Sequence, residues 1–215
     1  MKFLAIDTAN EYMCVVAYND GEVASAFLPD CSMRHSTEIM KQVDNVLTES
    51  GLTLSECDFF AAVVGAGSFT GIRIGISAAK GFCLATGKPS LPVTSFEVAA
   101  YNALEREEKM LCIVDALHDA YYACGFDREM NVIAPPAYLT EEEVLNFLKD
   151  GYTLRAIRSL EERALSISAK AEVKPCDPVG GLVAAVLAKA QKGEFAPLEA
   201  LYVRKSSAEL NLEKA

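Results

Sequence analysis

The sequence predicts an α/β fold that consists of two copies of one unit. Short apolar strands alternate with amphipathic helices, which is typical of sheets covered by helices. The opening segment FLAIDTANEYMCVVAYN also resembles the later segment MLCIVDALHDAYYACGFD, and a shift of 108 residues lays Asp7 on Asp115. One offset near half the chain length favours duplication over a solenoid or a chance match of two hairpins. We therefore expect an N-terminal lobe at residues 1–106 and a C-terminal lobe at residues 107–215.

Periodic apolar patterns place the elements of the first half. Strands are predicted at Phe3–Ile6, Tyr12–Tyr18, Glu22–Leu28, Phe59–Val64 and Ser90–Val93, and helices at Ser36–Ser50, Ile72–Ala85 and Ser95–Glu105. The turn Asn19-Asp20-Gly21 joins the second and third strands as a hairpin. Either Ser36 or Thr37 is expected to cap the first helix, and Gly51 to end it.

The second half repeats this order from its first strand, which is predicted at Met110–Asp115. Thr140 and Glu143 form a capping box that opens a helix to Lys149. Asp177 is expected to cap a last helix at residues 178–192. The same shift lays the helix at 72–85 on this last helix, so the two are predicted to be equivalent. The residues after Arg204 are polar and are expected to form a loose tail.

Composition and charge exclude several classes of function. The net charge is −10, so the chain is not expected to grip a nucleic-acid backbone alone. No apolar run approaches the length of a membrane span, and no signal peptide is expected, because Met1-Lys2-Phe3 leads directly into a predicted strand. Seven cysteines without a C-x-x-C motif indicate reduced thiols in a cytoplasmic protein.

The stretch from Phe59 to Phe96 contains no acidic residue, and its helix is apolar on two sides. We call Ile72, Ile76, Ala79 and Cys83 the core stripe, and Ile74, Ala78, Phe82 and Ala85 the outer stripe. A helix that is apolar nearly all round is buried nearly all round. One lobe can cover only one stripe, so we assign the core stripe to the interior and the outer stripe to a partner.

The glycine motif Gly65-x-Gly67-x-x-x-Gly71 has two interpretations. It lacks the Gly-Lys-Ser/Thr ending of a Walker loop and the acidic residue that a dinucleotide site requires. The simpler interpretation is a tight strand-to-helix turn with close packing. The alternative is that free N–H groups at the helix start, together with Ser68 and Thr70, bind an anion.

Asp7 and Asp115 are the best candidate carboxylate pair, since both follow equivalent strands. In a duplicated fold they would lie close together and could hold a metal–phosphate complex. However, the following Thr8-Ala9-Asn10 and its counterpart contain no glycine that would let a phosphate approach the backbone. The alternative is that both carboxylates only cap their own turns.

The two histidines, His35 and His118, give no sign of a metal or catalytic site. Neither has a second histidine at metal-ligand spacing, so no zinc site is expected. The chain also lacks a G-x-S-x-G motif, because Ser68 lies in Ala66-Gly-Ser-Phe-Thr70. His35 is interpreted as a residue near the start of its helix rather than a catalytic base.

Five segments together resemble the TsaB (YeaZ) family, bacterial proteins that take part in the threonylcarbamoyl-adenosine modification of tRNA. They are IDTA at 6–9, HSTEIM at 35–40, GAGSFTGIRIGISAAKG at 65–81, the strand–hairpin that contains Asp115, and LYVRKS at 201–206. The chain departs from the family at Ala66, where proline is usual, and in a shortened segment at 152–174. The resemblance implies a duplicated two-lobed fold of the actin/hsp70/acetate-kinase (ribonuclease H-like) type.

The resemblance also implies a non-catalytic subunit that binds and positions TsaD, the transferase that carries the metal and the chemistry. It implies TsaE, an ATPase, as a further partner, a homodimer when TsaD is absent, and tRNA contact only through the complex. No cofactor is expected on this chain alone, and ATP is used by the partner complex. The implied partner-binding residues are Ser68, Phe69, Thr70, Gly71, Arg73, Ile74, Ser77, Ala78 and Phe82, with His35 and Ile39 from the earlier helix. Asp7, Thr8 and Asp115 would form a degenerate nucleotide cleft.

Two other classes of function stay open at this stage. The chain could be a self-sufficient enzyme, either a glycoprotease or a phosphate-transferring enzyme that uses Asp7 and Asp115. It could also be an anion-binding module at residues 67–71.

Overall fold

The computed structural model describes residues 1–101, 107–116, 120–157 and 173–204, and these residues form two five-stranded sheets. The first sheet contains β1 (Lys2–Asp7), β2 (Met13–Asn19), β3 (Glu22–Leu28), β4 (Phe59–Val63) and β5 (Ser90–Val93), in the order β3-β2-β1-β4-β5. The second contains β6 (Lys109–Asp115), β7 (Ala120–Asp127), β8 (Val132–Thr140), β9 (Thr153–Ile157) and β10 (Val173–Cys176), in the order β10-β9-β6-β7-β8.

Read from the other edge, the second sheet has the same order as the first. In each sheet the first three strands form an antiparallel meander, and the fourth strand pairs in parallel with the first. The fifth strand pairs in parallel with the fourth. The predicted duplicated α/β fold is therefore confirmed, and Asp7 and Asp115 end equivalent strands.

Five α-helices are described: α1 (His35–Ser50), α2 (Phe69–Thr86), α3 (Ser95–Tyr101), α4 (Glu141–Lys149) and α5 (Pro178–Lys192). The predicted caps of the last two are confirmed, because Asp177 accepts the backbone N–H groups of Val179 and Gly180, and Thr140 and Glu143 form their capping box. The first helix instead begins at His35, and the preceding Arg34 makes no side-chain cap. No helix within the described ranges is long and apolar enough to cross a bilayer.

The predicted equivalence of α2 and α5 is wrong. In the order of elements α2 follows β4, whereas α5 follows β10, so the counterpart of α5 is α3, which follows β5. The prediction failed because the 108-residue shift was derived from the two hairpins and then applied to the helices. Both helices are rich in small apolar residues, so they matched in composition without being equivalent. The counterpart position of α2 belongs to the chain between β9 and β10, and residues 158–172 lie outside the described residues.

The helices divide into an outer and an inner layer. α1 and α2 contact each other and cover one face of the first sheet, α1 on β2 and β3 and α2 on β1 and β4. α5 packs on β1, β2 and β5 and also against α3, which contacts β6 of the second sheet. Leu182 and Val186 of α5 therefore belong to the main core together with β1 and β4. A smaller core lies in the second lobe, where Val144 of α4 packs with Leu111 and Leu154.

The last described residues return to the first sheet, and we call residues 194–204 the strap. Its residue Ala196 exchanges hydrogen bonds with Ser90 of β5, and Leu198 is fully buried. Leu201 then donates its backbone N–H to the carbonyl oxygen of Val64 at 2.7 Å. A segment of the second half thus covers the edge of the first sheet. The tail predicted after Arg204 lies outside the described residues.

Candidate functional site

The turn after β1 is seated directly against the start of α2. A Cβ atom added to Gly67, Gly71 or Gly75 would lie 2.1 Å from the Ala9 carbonyl oxygen, 2.0 Å from the Thr8 carbonyl oxygen and 2.6 Å from Thr8 Oγ1, respectively. These distances are far below van der Waals contact, so only glycine permits this approach. The close-packing interpretation of the glycine motif accounts for its spacing.

Local hydrogen bonds already use two of the N–H groups that an anion would need, those of Ser68 and Gly71. Ser68 donates its N–H to the Ala9 carbonyl at 2.7 Å, and its Oγ accepts the Gly71 N–H at 3.3 Å. The N–H of Ile72 is donated to the Ser68 carbonyl at 2.9 Å. Ser68 therefore caps α2, which begins at Phe69, three residues before the predicted start. This arrangement gives no support to an anion site at residues 67–71.

Asp7 is fully buried, and both of its carboxylate oxygens have donors from its own turn. Oδ1 accepts the Ala9 N–H at 2.9 Å, and Oδ2 accepts the hydroxyl of Tyr12 at 2.8 Å. Burial raises the pKa of Asp7 to about 6, against the opposing effects of these two donors and of His35. The carboxylate thus caps its own turn, as in the simpler of the two interpretations of this residue. Thr8 is buried beside it and donates Oγ1 to the Gly71 carbonyl at 2.7 Å.

Asp115 ends β6 at the equivalent position and is partly exposed. Its proximity to Asp7 stays a prediction. Within residues 1–101, 107–116, 120–157 and 173–204, no group of three or more His, Cys, Asp or Glu side chains could hold a metal ion. His118 lies outside the described residues.

The raised pKa of Asp7 predicts how stability depends on pH. A carboxyl whose pKa is higher in the folded than in the unfolded state is favoured when protonated, so its charged form destabilises the fold as pH rises through about 6. The full cost above that pH is ~3 kcal/mol, about half of it between about pH 5 and about pH 7.5. Urea titrations at about pH 5 and about pH 7.5 test this. Over this interval the free energy of unfolding of the wild type should fall by ~1.5 kcal/mol more than that of Asp7→Asn, which cannot titrate. Parallel curves for the two proteins would contradict the prediction.

Most residues of the core stripe of α2 are buried, and most residues of its outer stripe are at least partly exposed. Ile72 and Ala79 of the core stripe are fully buried and Ile76 nearly so, whereas Cys83 is partly exposed. In the outer stripe, Ile74 and Ala78 are partly exposed and Ala85 is exposed. Phe82 is different, because its ring is buried against Phe60 of β4 at a centroid distance of 5.6 Å. Its assignment to a partner surface is therefore corrected, and Phe82 belongs to the core.

Three further predicted contact residues lie inside the chain. His35 is buried and its Nε2 is 2.9 Å from the Tyr12 carbonyl oxygen, while Ile39 is buried on the side of α1 that packs on β2 and β3. Gly71 is covered by Thr8. These residues position the two helices, and their side chains do not form the outer surface. Ser68, Thr70, Arg73 and Ser77 are exposed and Phe69 is partly exposed, as a surface role requires.

The sequence interpretation missed the three large exposed apolar side chains that lie on or beside α1 and α2. Leu84 on α2 is 88% exposed, Met33 just before α1 is 94% exposed, and Met40 on α1 is 49% exposed. The signal for Leu84 was available, since it continues the polar line of Arg73, Ser77 and Lys80 at helical spacing. We call the following set the outer face: Met33, Met40, Ser68, Thr70, Arg73, Ile74, Ser77, Ala78, Leu84 and Ala85. Its residues lie on or just before α1 and α2, which contact each other and cover one face of the first sheet.

Comparison with known proteins agrees with the resemblance seen in the sequence. The family model described as "TsaD: tRNA N6-adenosine threonylcarbamoyltransferase" matches residues 27–192. The TsaB protein of Escherichia coli, named as a tRNA threonylcarbamoyladenosine biosynthesis protein, is 36% identical over 135 residues, 62% of this chain and 58% of that protein. Its Haemophilus influenzae counterpart is 30% identical over 127 residues, 57% of this chain and 53% of that protein. The chain therefore spans only a little more than half the length of these curated relatives.

Solved structures extend the likeness to the fold. A YeaZ structure from Pseudomonas aeruginosa superposes with a TM-score of 0.76 at 21% identity, covering 94% of this chain and 99% of that one. An activator of 2-hydroxyisocaproyl-CoA dehydratase from Clostridium difficile, solved with ADPNP, reaches a TM-score of 0.51 at 10% identity, covering 93% of this chain and 100% of that one. At these identities the likeness shows the fold alone, and that fold is the actin-like, two-lobed type expected from the sequence.

Proposed function

The chain belongs to the TsaB (YeaZ) branch of the TsaD family, and from this membership we propose that it is a non-catalytic subunit in threonylcarbamoyl-adenosine biosynthesis. In this proposal it binds and positions a TsaD-type transferase for threonylcarbamoyl transfer to the adenosine next to the anticodon of tRNA. A TsaE-type ATPase joins the complex, which uses ATP, while this chain alone binds no cofactor. Without the transferase, the same outer face pairs two copies of the chain.

The proposal rests on the carboxyl end of β1, where Asp7 and the turn after it are packed within the chain. The carboxylate that would bind a metal–phosphate complex is buried and already accepts two hydrogen bonds from its own turn. The backbone that would cradle a phosphate is instead packed against Gly67 and Gly71. Charged groups need solvent, partners or a ligand, and Asp7 has its partners within the chain. The geometry therefore supports a structural rather than a catalytic cleft.

The outer face supports the second half of the proposal. It exposes Leu84, Met33 and Met40 on or beside two packed helices, and the stretch from Phe59 to Phe96 contains no acidic residue. Exposed apolar side chains that share one face are typical of protein–protein contact sites. Small residues such as Ala78 beside them allow a partner helix to approach closely.

The rival function is a self-sufficient enzyme that uses Asp7 and Asp115. Some relatives favour it by name, since a transferase from Chlorobaculum tepidum is 26% identical over 122 residues, 50% of this chain and 35% of that protein. A phosphate-transferring enzyme or a glycoprotease would need Asp7 to face its substrate. Asp7 is instead fully buried, and its oxygens accept hydrogen bonds from Ala9 and Tyr12, so the geometry favours the subunit.

Activity and assembly assays with purified protein separate the two functions. The chain alone should hydrolyse neither ATP nor peptides, and it should form a stable complex with the TsaD-type transferase from the same cell in size-exclusion chromatography with light scattering. Turnover by the chain alone that disappears in the folded Asp7→Asn variant would establish the enzyme and reject the subunit. Failure to bind the transferase would also reject the subunit.

Acidity predicts the behaviour of the isolated chain toward tRNA. With a net charge of −10, it should bind tRNA no more tightly than an unrelated protein of similar charge, because phosphate neutralisation requires clustered cations. Fluorescence anisotropy with labelled tRNA over a salt series tests this. Tight binding by the isolated chain that weakens steeply with salt would overturn the proposed division of labour.

A further inference from the structure

The strap ends on the turn that leads into α2. Leu201 donates its N–H to the carbonyl oxygen of Val64, the residue after β4, and a Cβ atom on Gly65 would lie 2.4 Å from the Leu201 carbonyl oxygen. Gly65 has a φ of +126°, so a larger residue would be strained there even without the strap. The strap backbone is therefore fitted closely to the turn before α2.

The next strap residue, Tyr202, contacts two side chains at the start of α2, that of Phe69 in the first turn and that of Arg73 at the beginning of the second. Its ring stacks on Phe69 at a centroid distance of 4.3 Å and an interplanar angle of 13°. Arg73 Nε donates to the Tyr202 hydroxyl at 2.9 Å, and its guanidinium lies 5.8 Å from the Phe69 ring centroid and 5.7 Å from that of Tyr202. The Tyr202 ring thus stacks on the Phe69 ring, and the Arg73 guanidinium lies beside this pair at nearly the same distance from both rings.

Two residues further on, the strap contacts the second lobe. The guanidinium of Arg204 lies 4.7 Å from the ring centroid of Tyr138 on β8, and one of its nitrogens donates to the Tyr138 hydroxyl at 3.3 Å. Tyr138 in turn packs edge-on against Tyr122 of β7 at 6.0 Å. The strap therefore connects the first turn of α2 to the second sheet.

We infer that Tyr202 and Arg204 form a clasp that holds the first turn of α2 in its partner-binding geometry, so that the strap is part of the partner-recognition site. The inference rests on the proposed function, because Phe69 and Arg73 are predicted partner contacts. Tyr202 acts as a positioning residue, through the two side chains that it holds.

The physical reason lies in the helix end. The first turn of a helix has few internal hydrogen bonds and frays most readily. Here the Gly71 N–H donates to the Ser68 hydroxyl at the long distance of 3.3 Å, so the order of this turn depends also on the packing of the Phe69 ring against Tyr202. When the turn is already ordered in the free chain, it loses less conformational entropy on binding the partner. Removing the clasp should therefore weaken the partner complex and loosen the first turn of α2 in the free chain.

The test uses the full chain and its TsaD-type transferase, with Tyr202→Ala, Tyr202→Phe and Phe195→Ala as variants. Phe195 is the matched control, because it packs edge-on against Phe59 at 5.2 Å at the other end of the strap. Tyr202→Ala should raise the Kd by about tenfold or more and speed amide exchange at residues 71–73, because both the stack and the hydrogen bond are lost. Tyr202→Phe keeps the stack and should stay within about threefold of wild type. Phe195→Ala should leave both the Kd and this exchange unchanged.

The outcomes separate the inference from the proposed function. A Tyr202→Ala protein that binds as tightly as wild type overturns the clasp, whether or not its amide exchange changes. Equal weakening by Phe195→Ala also overturns it, because the strap would then act only through overall stability. A wild-type chain that fails to bind the transferase at all overturns the proposed function, and the inference with it.

Discussion

Replacing Ala78 by Glu should abolish pairing with the transferase and self-association while the chain stays folded. Ala78 belongs to the outer face and is partly exposed, so a carboxylate there can remain hydrated in the free subunit. In the complex it would be buried without a partner, which costs several kcal/mol and should weaken binding by about a hundredfold or more. Isothermal titration with the transferase measures this loss, and thermal unfolding should show a midpoint lowered by only about a few degrees.

Ala79→Glu, one position along the same helix, supplies the matched comparison. Ala79 is fully buried against the sheet, so the same carboxylate would be placed in the core and should unfold the chain. Circular dichroism distinguishes the two proteins before any binding is measured. If both variants unfold, the outer stripe is also core. If Ala78→Glu folds and still binds the transferase, the partner uses a different surface.

The first sheet and the hairpin of β6 and β7 could be predicted from the sequence because their signals are local, whereas no bounds were predicted for β8, β9 and β10. Apolar runs, the Asn19-Asp20-Gly21 turn and the matched strand ends at Asp7 and Asp115 fixed both hairpins and their duplication. The helix capped by Asp177 was also placed correctly, since that cap uses neighbouring N–H groups. Its counterpart was misjudged, because equivalence depends on the order of elements and not on composition.

The faces of α1 and α2 could be predicted only in part. His35 was expected only near the start of its helix, yet it is buried, and its Nε2–H donates to the carbonyl oxygen of Tyr12, 23 residues away. Phe82 lies at the border between the two stripes, and its long ring reaches Phe60 on the sheet, which a smaller side chain there would not. Both outcomes depend on contacts between distant residues, and the periodicity of a single helix does not contain them.

The clasp was beyond prediction for the same reason. Arg73 and Tyr202 are separated by 129 positions, and their contact follows from the return of the strap to the first sheet. The spacing of the glycines, in contrast, could be read from the sequence, but the contacts that require glycine at these positions could not. The residues that require Gly67, Gly71 and Gly75 to be small are Thr8 and Ala9, which belong to a different strand end.

Gly71→Ala should destabilise the chain severely, and Gly81→Ala should not. A Cβ atom at residue 71 would lie 2.0 Å from the Thr8 carbonyl oxygen, a backbone atom at the end of β1 that cannot rotate away. The helix or the strand end must then move by more than an ångström, which also breaks the Thr8 Oγ1–Gly71 carbonyl bond and disturbs the turn that Asp7 caps. We expect a loss of about 3 kcal/mol or more in the free energy of unfolding.

Gly81 lies in the same helix, and a Cβ atom there would meet nothing within 4 Å. Alanine is the better helix former, so Gly81→Ala should stabilise the chain by about 0.5–1 kcal/mol. Urea unfolding followed by circular dichroism compares the two variants with wild type at one pH. Because both changes add the same methyl group to the same helix, opposite signs would show that the contact with Thr8, and not helix propensity, requires glycine at position 71. A Gly71→Ala protein as stable as wild type would mean that β1 and α2 are not packed this closely.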